Sequence, residues 1–164
     1  MSLLDSIWAY VLVFSLAAAP FFEAYAVIPL AILAGLPTVP VMIVGLAGNI
    51  LTILLLLLFI QKIKEWTTKK RKNDEQKAPS KRSLRAQKLW EKYGLPGLAF
   101  IGPLFVGSHL TAFMSVTLGG TKKGTLYWMI ASITTWSVVF SIFAYFGVDL
   151  LGRNEDSFLK EILQ

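Results

Sequence analysis

The chain has no cysteine. Disulfides, thiolate metal centres and cysteine nucleophiles are therefore excluded. It has one histidine, His109, so no histidine pair is available to build a metal site. Charged residues make up 16% of the 164 positions, against roughly 25% in soluble domains. No Lys or Arg precedes Lys62. Ala17-Ala18-Ala19 resembles a signal-peptidase site, but the basic region that should precede it is missing and Asp5 stands in its place, so a cleaved signal peptide is not expected. Also missing are HExxH, GxSxG and paired aspartates within the apolar runs. Ser108 and His109 are adjacent, so their side chains diverge rather than form a nucleophile–base pair. The chain is not expected to be an enzyme, and neither a cofactor nor a metal is expected.

What is abundant is apolar sequence. Hydrophobic residues make up 55% of the chain, with a mean hydropathy of +0.60. Residues 6–60 contain a single charged side chain, Glu23, and residues 93–148 contain only Lys122 and Lys123. A transmembrane helix needs about 20 apolar residues, so each run is long enough to cross a bilayer more than once. The expected class is an all-α integral membrane protein. The segment between the runs is basic: residues 61–92 hold twelve Lys/Arg and four acids, a net +8 against +6 for the whole chain. Between two membrane blocks this reads as a cytoplasmic loop obeying the positive-inside rule, attracted to anionic lipid. It does not read as a nucleic-acid site.

Prolines and glycines divide the runs. As one helix, residues 3–36 would extend about 51 Å, against a hydrocarbon core of about 30 Å. Pro20, Pro29, Gly35 and Pro37 offer the breaks. The pattern predicts a short membrane helix over 3–19, a re-entrant hairpin over 20–36 and a full span over 41–60. Broken backbone at membrane depth is tolerated only where protein or a polar cavity covers it. The loop 61–92 is expected to be mobile near its middle, with an amphipathic helix over 83–93 lying on the membrane surface. In the C-terminal half, 93–150, a second hairpin over 95–121 is broken at Gly102, Pro103 and Gly107, and a span over 124–148 follows. Residues 151–164 form a tail.

The two halves share this order of broken segment and clean span. An offset of 83 aligns Pro20 with Pro103 and Phe22 with Phe105; an offset of 84 aligns Gly35 with Gly119 and Ala47 with Ala131. If segment 95–121 is re-entrant, Lys122 and Lys123 stay on the cytoplasmic side and the halves are inverted repeats. If it crosses fully, the halves are parallel. Interrupted segments at corresponding places in two halves point to a transporter site.

Glu23 is the first candidate for chemistry. A carboxylate inside an apolar run is costly, about 2.5–3.5 kcal/mol at a helix centre on insertion scales. Such a group serves proton exchange or cation binding, unless it snorkels to an interface. His109 and Ser108 sit in the second broken segment and would meet Glu23 if the hairpin tips meet. Gly45, Gly48, Asn49 and Thr52 share one face of the span over 41–60. That stripe serves close helix packing, or Asn49 and Thr52 line a path. Tyr25 and neighbouring aromatics, among them Phe21, Phe22, Phe105 and Phe113, would suit a lipophilic cation.

Pro20-Phe21-Phe22-Glu23 with Pro29 and Ala34-Gly35, then Ala47-Gly48-Asn49, then Lys92-Tyr93-Gly94 running into Gly102-Pro103 and Gly119-Gly120, resemble the small multidrug export protein family of prokaryotic membrane proteins. The resemblance covers most of residues 15–150 and implies export. More remotely, the layout is similar to DedA-type membrane proteins. That likeness implies two opposed re-entrant hairpins and translocation of lipid phosphates or proton-dependent transport. Residues 6–60 and 93–121 contain no Lys or Arg, so a phosphate would meet only His109, hydroxyls and backbone N–H groups there.

The expected function is a small secondary transporter or exporter, proton-coupled, for a small lipophilic or cationic compound. A lipid translocase and a non-transporting membrane scaffold are the alternatives. Expected partners are protons, membrane lipids and a small-molecule or lipid substrate; a homodimer is compatible with the small core and glycine-rich spans. The expected location is a prokaryotic plasma membrane, crossed several times.

Overall fold

The computed structural model describes residues 3–20, 22–73 and 80–162, with side chains described for 6–20, 22–63, 65 and 80–147. All regular structure in these residues is helical. The elements are α1 (Leu3–Ala18), α2 (Ala24–Leu33), α3 (Thr38–Asn73), α4 (Lys81–Val106), α5 (Ser108–Thr117) and α6 (Lys122–Ile162).

Two stretches are long and apolar enough to cross a membrane, Thr38–Ile63 in α3 and Lys122–Gly147 in α6, each of 26 residues and therefore about 39 Å long. Large apolar side chains cover the outside, Trp8, Leu30, Val39, Leu58, Phe105 and Phe143 among them. Patches of this extent are not left facing water. Thr38 and Met42 line one cavity with Tyr145 and Phe146, so the start of the apolar part of α3 lies beside the end of that of α6. The two long helices therefore run antiparallel.

Small residues bring the short helices onto α3. A Cβ at Gly48 would stand 2.5 Å from the Phe14 carbonyl oxygen, and one at Gly45 would stand 2.6 Å from Ile28 Cγ1. Gly48 thus admits the backbone of α1, and Gly45 admits a side chain of α2. On α6, Ser132 Oγ and Trp136 Nε1 both donate to the Phe100 carbonyl, at 2.8 and 3.0 Å, which ties α4 to α6 in the turn before Pro103.

α2 and α5 end in the same way. Leu36 N–H reaches back to the Ala31 carbonyl and Gly120 N–H to the Ser115 carbonyl, with Gly35 at φ +88° and Gly119 at φ +117°. These are glycine-terminated helix ends of the Schellman kind. The bounds of α5 lie 84 residues after those of α2, and the two apolar spans keep the same interval.

The observed boundaries differ from those expected in four places. Residues 20–36 contain one helix rather than two legs; the chain turns earlier, over 19–23, so α1 is the element that doubles back into α2. The cause is local: Glu23 is extended (φ −76°, ψ 149°) as the N-cap of α2, and Pro29 is accommodated inside the helix. α3 continues helical through Lys69–Asn73, where a mobile loop is expected; residues 74–79 lie outside the described residues, as does Phe21. α4 is broken at Gly94 (φ 65°, ψ −159°), where the chain folds back. The amphipathic face of its first section, Ala86, Leu89 and Trp90, therefore packs on Leu98, Val106, Leu110, Met114 and Leu118 and is covered by protein rather than by a membrane surface. Finally, α6 runs on past its apolar part to Ile162, where a separate tail is expected.

Candidate functional site

Residues 95–117 form two helical legs that meet at Gly107. The Gly107 backbone (φ 98°, ψ 147°) lies where L-residues are strained, and it serves as the N-cap of α5. The base of the pair is closed: Leu95 lies against Gly120 and Gly124. Gly102 lets Thr111 pack between the legs, since a Cβ there would stand 2.6 Å from Thr111 Cγ2. The turn at Gly107 points at the turn that precedes α2.

Glu23 fills the space between them. It is 5% exposed and is the one buried charged side chain among the described residues. Its Oε1 accepts the Ser108 backbone N–H at 2.8 Å, and its Oε2 accepts Asn49 Nδ2 at 3.2 Å. A Cβ on Gly107 would stand 3.3 Å from Oε1, so the carboxylate occupies the space a side chain at 107 would need. The carboxylate also meets the free N–H end of α5 while its own residue caps α2. Negative charge is favoured at such helix ends, and two donors to one carboxylate offset much of its desolvation.

Asn49 and Ser108 are fully buried beside it. Ser108 Oγ donates to Asn49 Oδ1 at 3.4 Å and lies 3.2 Å from His109 Nδ1; the two side chains therefore converge at the first turn of α5, where their adjacency in sequence is expected to make them diverge. His109 Nε2 lies 3.0 Å from Thr52 Oγ1, which also reaches the Asn49 and Gly48 carbonyls at 2.9 and 3.2 Å. The result is a continuous hydrogen-bonded chain, Glu23–Asn49–Ser108–His109–Thr52, drawn from α2, α3 and α5. Tyr25 stands beside it, its hydroxyl donating to the Pro103 carbonyl at 2.8 Å and its ring packed on Phe140 of α6.

A cavity of about 160 Å³ opens onto Glu23, lined by Pro20, Tyr25 and Pro103 to Gly107, with Arg82 at its edge. At about 30 Å³ per water it has room for about five. Farther along α5, the buried hydroxyls of Thr111 and Ser115 have no hydrogen-bond partner.

The structure brings together Glu23, Asn49, Ser108 and His109. His109 reaches the carboxylate through Ser108 rather than as a direct partner. Of the expected breaks, Pro20 and Gly107 stand at turns and line the cavity, whereas Gly102 and Pro103 lie inside α4 and Pro29 inside α2; Pro103 still lines the cavity and Gly102 closes the helical legs. In the small-residue stripe of α3, Gly45 and Gly48 pack helices, as one of its expected uses requires, while Asn49 and Thr52 belong to the polar chain. Sequence reasoning missed Arg82. It sits in a basic run assigned to a loop, and only the fold-back at Gly94 carries it to the cavity; the Gly94-Leu95-Pro96 break is the signal that pointed there.

A family model described as "Putative small multi-drug export protein" matches residues 23–139. The match begins at Glu23 and takes in α2 to α5 with most of the apolar part of α6, so it contains every member of the polar chain. No curated protein and no solved structure matches. The match spans well over half of the chain, and this helical membrane protein belongs to that small multi-drug export family.

Proposed function

We propose that the protein is a small secondary exporter, proton-coupled, acting on a small lipophilic or cationic compound, and built from two inverted repeats whose re-entrant hairpins meet at Glu23. The observation that carries this reading is the buried Glu23 carboxylate held by Ser108 of the other half. An ionisable group at the junction of two interrupted helices is the arrangement expected of a transporter site. The constant interval of 84 residues, the matched glycine ends of α2 and α5, and the antiparallel α3 and α6 support the repeat. In this arrangement α1–α2 is the first hairpin and 95–117 the second, entering from opposite sides. The basic run 61–92 supports a cytoplasmic location for the side that the second hairpin enters.

The test uses purified protein in liposomes, with ethidium as the lipophilic-cation probe and an internal pH dye. A pH gradient is expected to drive ethidium movement with opposite proton movement, and Glu23→Gln is expected to abolish the coupling. Ethidium flux that keeps its proton dependence in Glu23→Gln removes the carboxylate from the mechanism. A second reading, lipid-phosphate translocation, draws on Arg82, which gives the cavity a guanidinium suited to phosphate. In the same liposomes it predicts exchange of a fluorescent phospholipid between leaflets, reduced by Arg82→Gln, with no ethidium flux.

A further inference from the structure

The hydrogen-bonded chain can be satisfied in a limited number of ways, and counting them assigns its members a joint role. When Glu23 is ionised, both its oxygens accept. Asn49 then donates through Nδ2 and accepts at Oδ1 from the Ser108 hydroxyl, which is the observed pattern. The Ser108 oxygen is left free to accept from His109, so Nδ1 carries a proton. Thr52 then either accepts from Nε2–H or donates to a bare Nε2, since its own hydroxyl can turn to the Asn49 or Gly48 carbonyl. His109 can therefore hold two protons in this state.

When Glu23 is protonated, its O–H must donate. Turning the Asn49 amide by a half-rotation presents Oδ1 to it and the NH₂ group to Ser108. The Ser108 hydroxyl then donates to Nδ1 of His109, which must be bare, and the ring carries its proton on Nε2 towards Thr52. If both Glu23 and His109 were protonated, two donors would converge on the Ser108 oxygen and its own hydroxyl would have no acceptor. A buried hydroxyl left unpaired in this way loses its solvation with nothing in return, and the doubly protonated state is disfavoured.

We infer that Glu23 and His109 share a single exchangeable proton, and that the Asn49 amide with the Ser108 hydroxyl is the reversible link that makes protonation of one exclude protonation of the other. The amide has no proton to pass on, so what travels along the chain is the direction of the hydrogen bonds. The proton itself is exchanged at the ends, Glu23 through the cavity and His109 at its half-buried ring, while Asn49 and Ser108 between them are fully buried. The remaining titratable or charged groups at the site are Tyr25 on α2 and Arg82 on α4. Asn49 and Thr52 are the polar side chains through which α3 joins the chain; α6 brings Phe140 onto Tyr25, and α1 brings the Phe14 backbone onto Gly48 beside Asn49. The inference deepens the proton-coupling part of the proposed function and rests on that reading for its use, but not for its test.

His109 is the single histidine, so ¹⁵N-histidine labelling reports this ring alone. The measurement is the ¹⁵N spectrum of the purified protein in lipid, with no substrate, across pH. In Glu23→Gln, whose side-chain amide donates as a protonated glutamate does, the ring is expected to be held as the neutral Nε2–H form at pH values where the wild type carries a proton on Nδ1. In Ser108→Ala, and separately in Asn49→Leu, the ring is expected to stop responding to Glu23→Gln. A wild-type ring spectrum in Glu23→Gln overturns the inference, as does a response of undiminished size in both link variants. Failure of ethidium transport leaves this result unchanged, so the two readings fall separately.

Discussion

Replacing Gly107 by alanine should damage the protein in two separable ways. The first is backbone strain: at φ 98° and ψ 147° an L-residue is held at a cost of about 1–3 kcal/mol. The second is specific to the site. The new methyl carbon would stand 3.3 Å from Glu23 Oε1, closer than an ordinary contact, and Oε1 is the atom that accepts the Ser108 N–H at 2.8 Å. Giving way means lengthening that bond. A hydrogen bond to a charged group contributes about 1.5–3 kcal/mol, so the total expected loss is about 2.5–6 kcal/mol if the bond is lost. Gly35→Ala is the control. Gly35 also has positive φ, +88°, but a Cβ there meets nothing within 4 Å, so the expected cost is strain alone, about 1–2 kcal/mol. Thermal unfolding of the detergent-solubilised protein, followed by tryptophan fluorescence, should separate the two at about 2–4 °C per kcal/mol. On a Glu23→Ala background the penalty of Gly107→Ala should shrink to its strain part, leaving a coupling of at least about 1 kcal/mol. If Gly107→Ala costs the same with and without the Glu23 carboxylate, Gly107 is needed for its backbone alone and the two turns are not joined as described.

Two further perturbations probe the frame and its orientation. Gly48→Ala should cost about 1–3 kcal/mol through overpacking, because its Cβ would strike the Phe14 backbone at 2.5 Å, whereas Gly147→Ala, with nothing within 4 Å, should be neutral or slightly stabilising in the same unfolding assay. A cysteine placed at Lys123 should be protected from a membrane-impermeant thiol reagent in intact cells, like one at Lys72, and should label once the membrane is opened; labelling from outside would make 95–121 a full crossing.

The members of the site were legible in the sequence because each is expensive where it stands. Glu23, His109 and Asn49 interrupt stretches, 6–60 and 93–121, whose other polar side chains are hydroxyls, so their positions alone called for partners. Gly102, Pro103 and Gly107 marked a break that the structure places at Gly107 alone, with Gly102 and Pro103 still inside α4. What was not legible is which polar atom meets which. Pro20 was read as the first residue of a hairpin, whereas it belongs to that hairpin's turn, because nothing local distinguishes a proline that opens a leg from one that ends the preceding leg. Arg82 was hidden for a different reason. Its approach to the cavity depends on the fold-back at Gly94 and on Ala86, Leu89 and Trp90 packing against α5, a long-range outcome of which the Gly94-Leu95-Pro96 break is the local trace.

The matched lengths of the two halves make their one mismatch informative. Glu23 is the N-cap of α2 and Gly107 is the N-cap of α5, at the same interval of 84 residues that separates the helices themselves. One position carries a carboxylate and its counterpart carries no side chain. The carboxylate does not bond within its own helix; it crosses to the N–H end of the other, into space that the missing side chain leaves open. A second carboxylate at 107 would meet the first at close range, where two such groups cannot both ionise. A larger neutral side chain would close the approach. The glycine and the glutamate therefore form a single device. The matched intervals supply two helix ends of the same kind, and the difference at one residue gives the pair a single charge to hold. A site with one carboxylate between two helix ends, with a cavity opening onto it, is built to hold one charge, which is the count that the proposed link through Asn49 and Ser108 also requires.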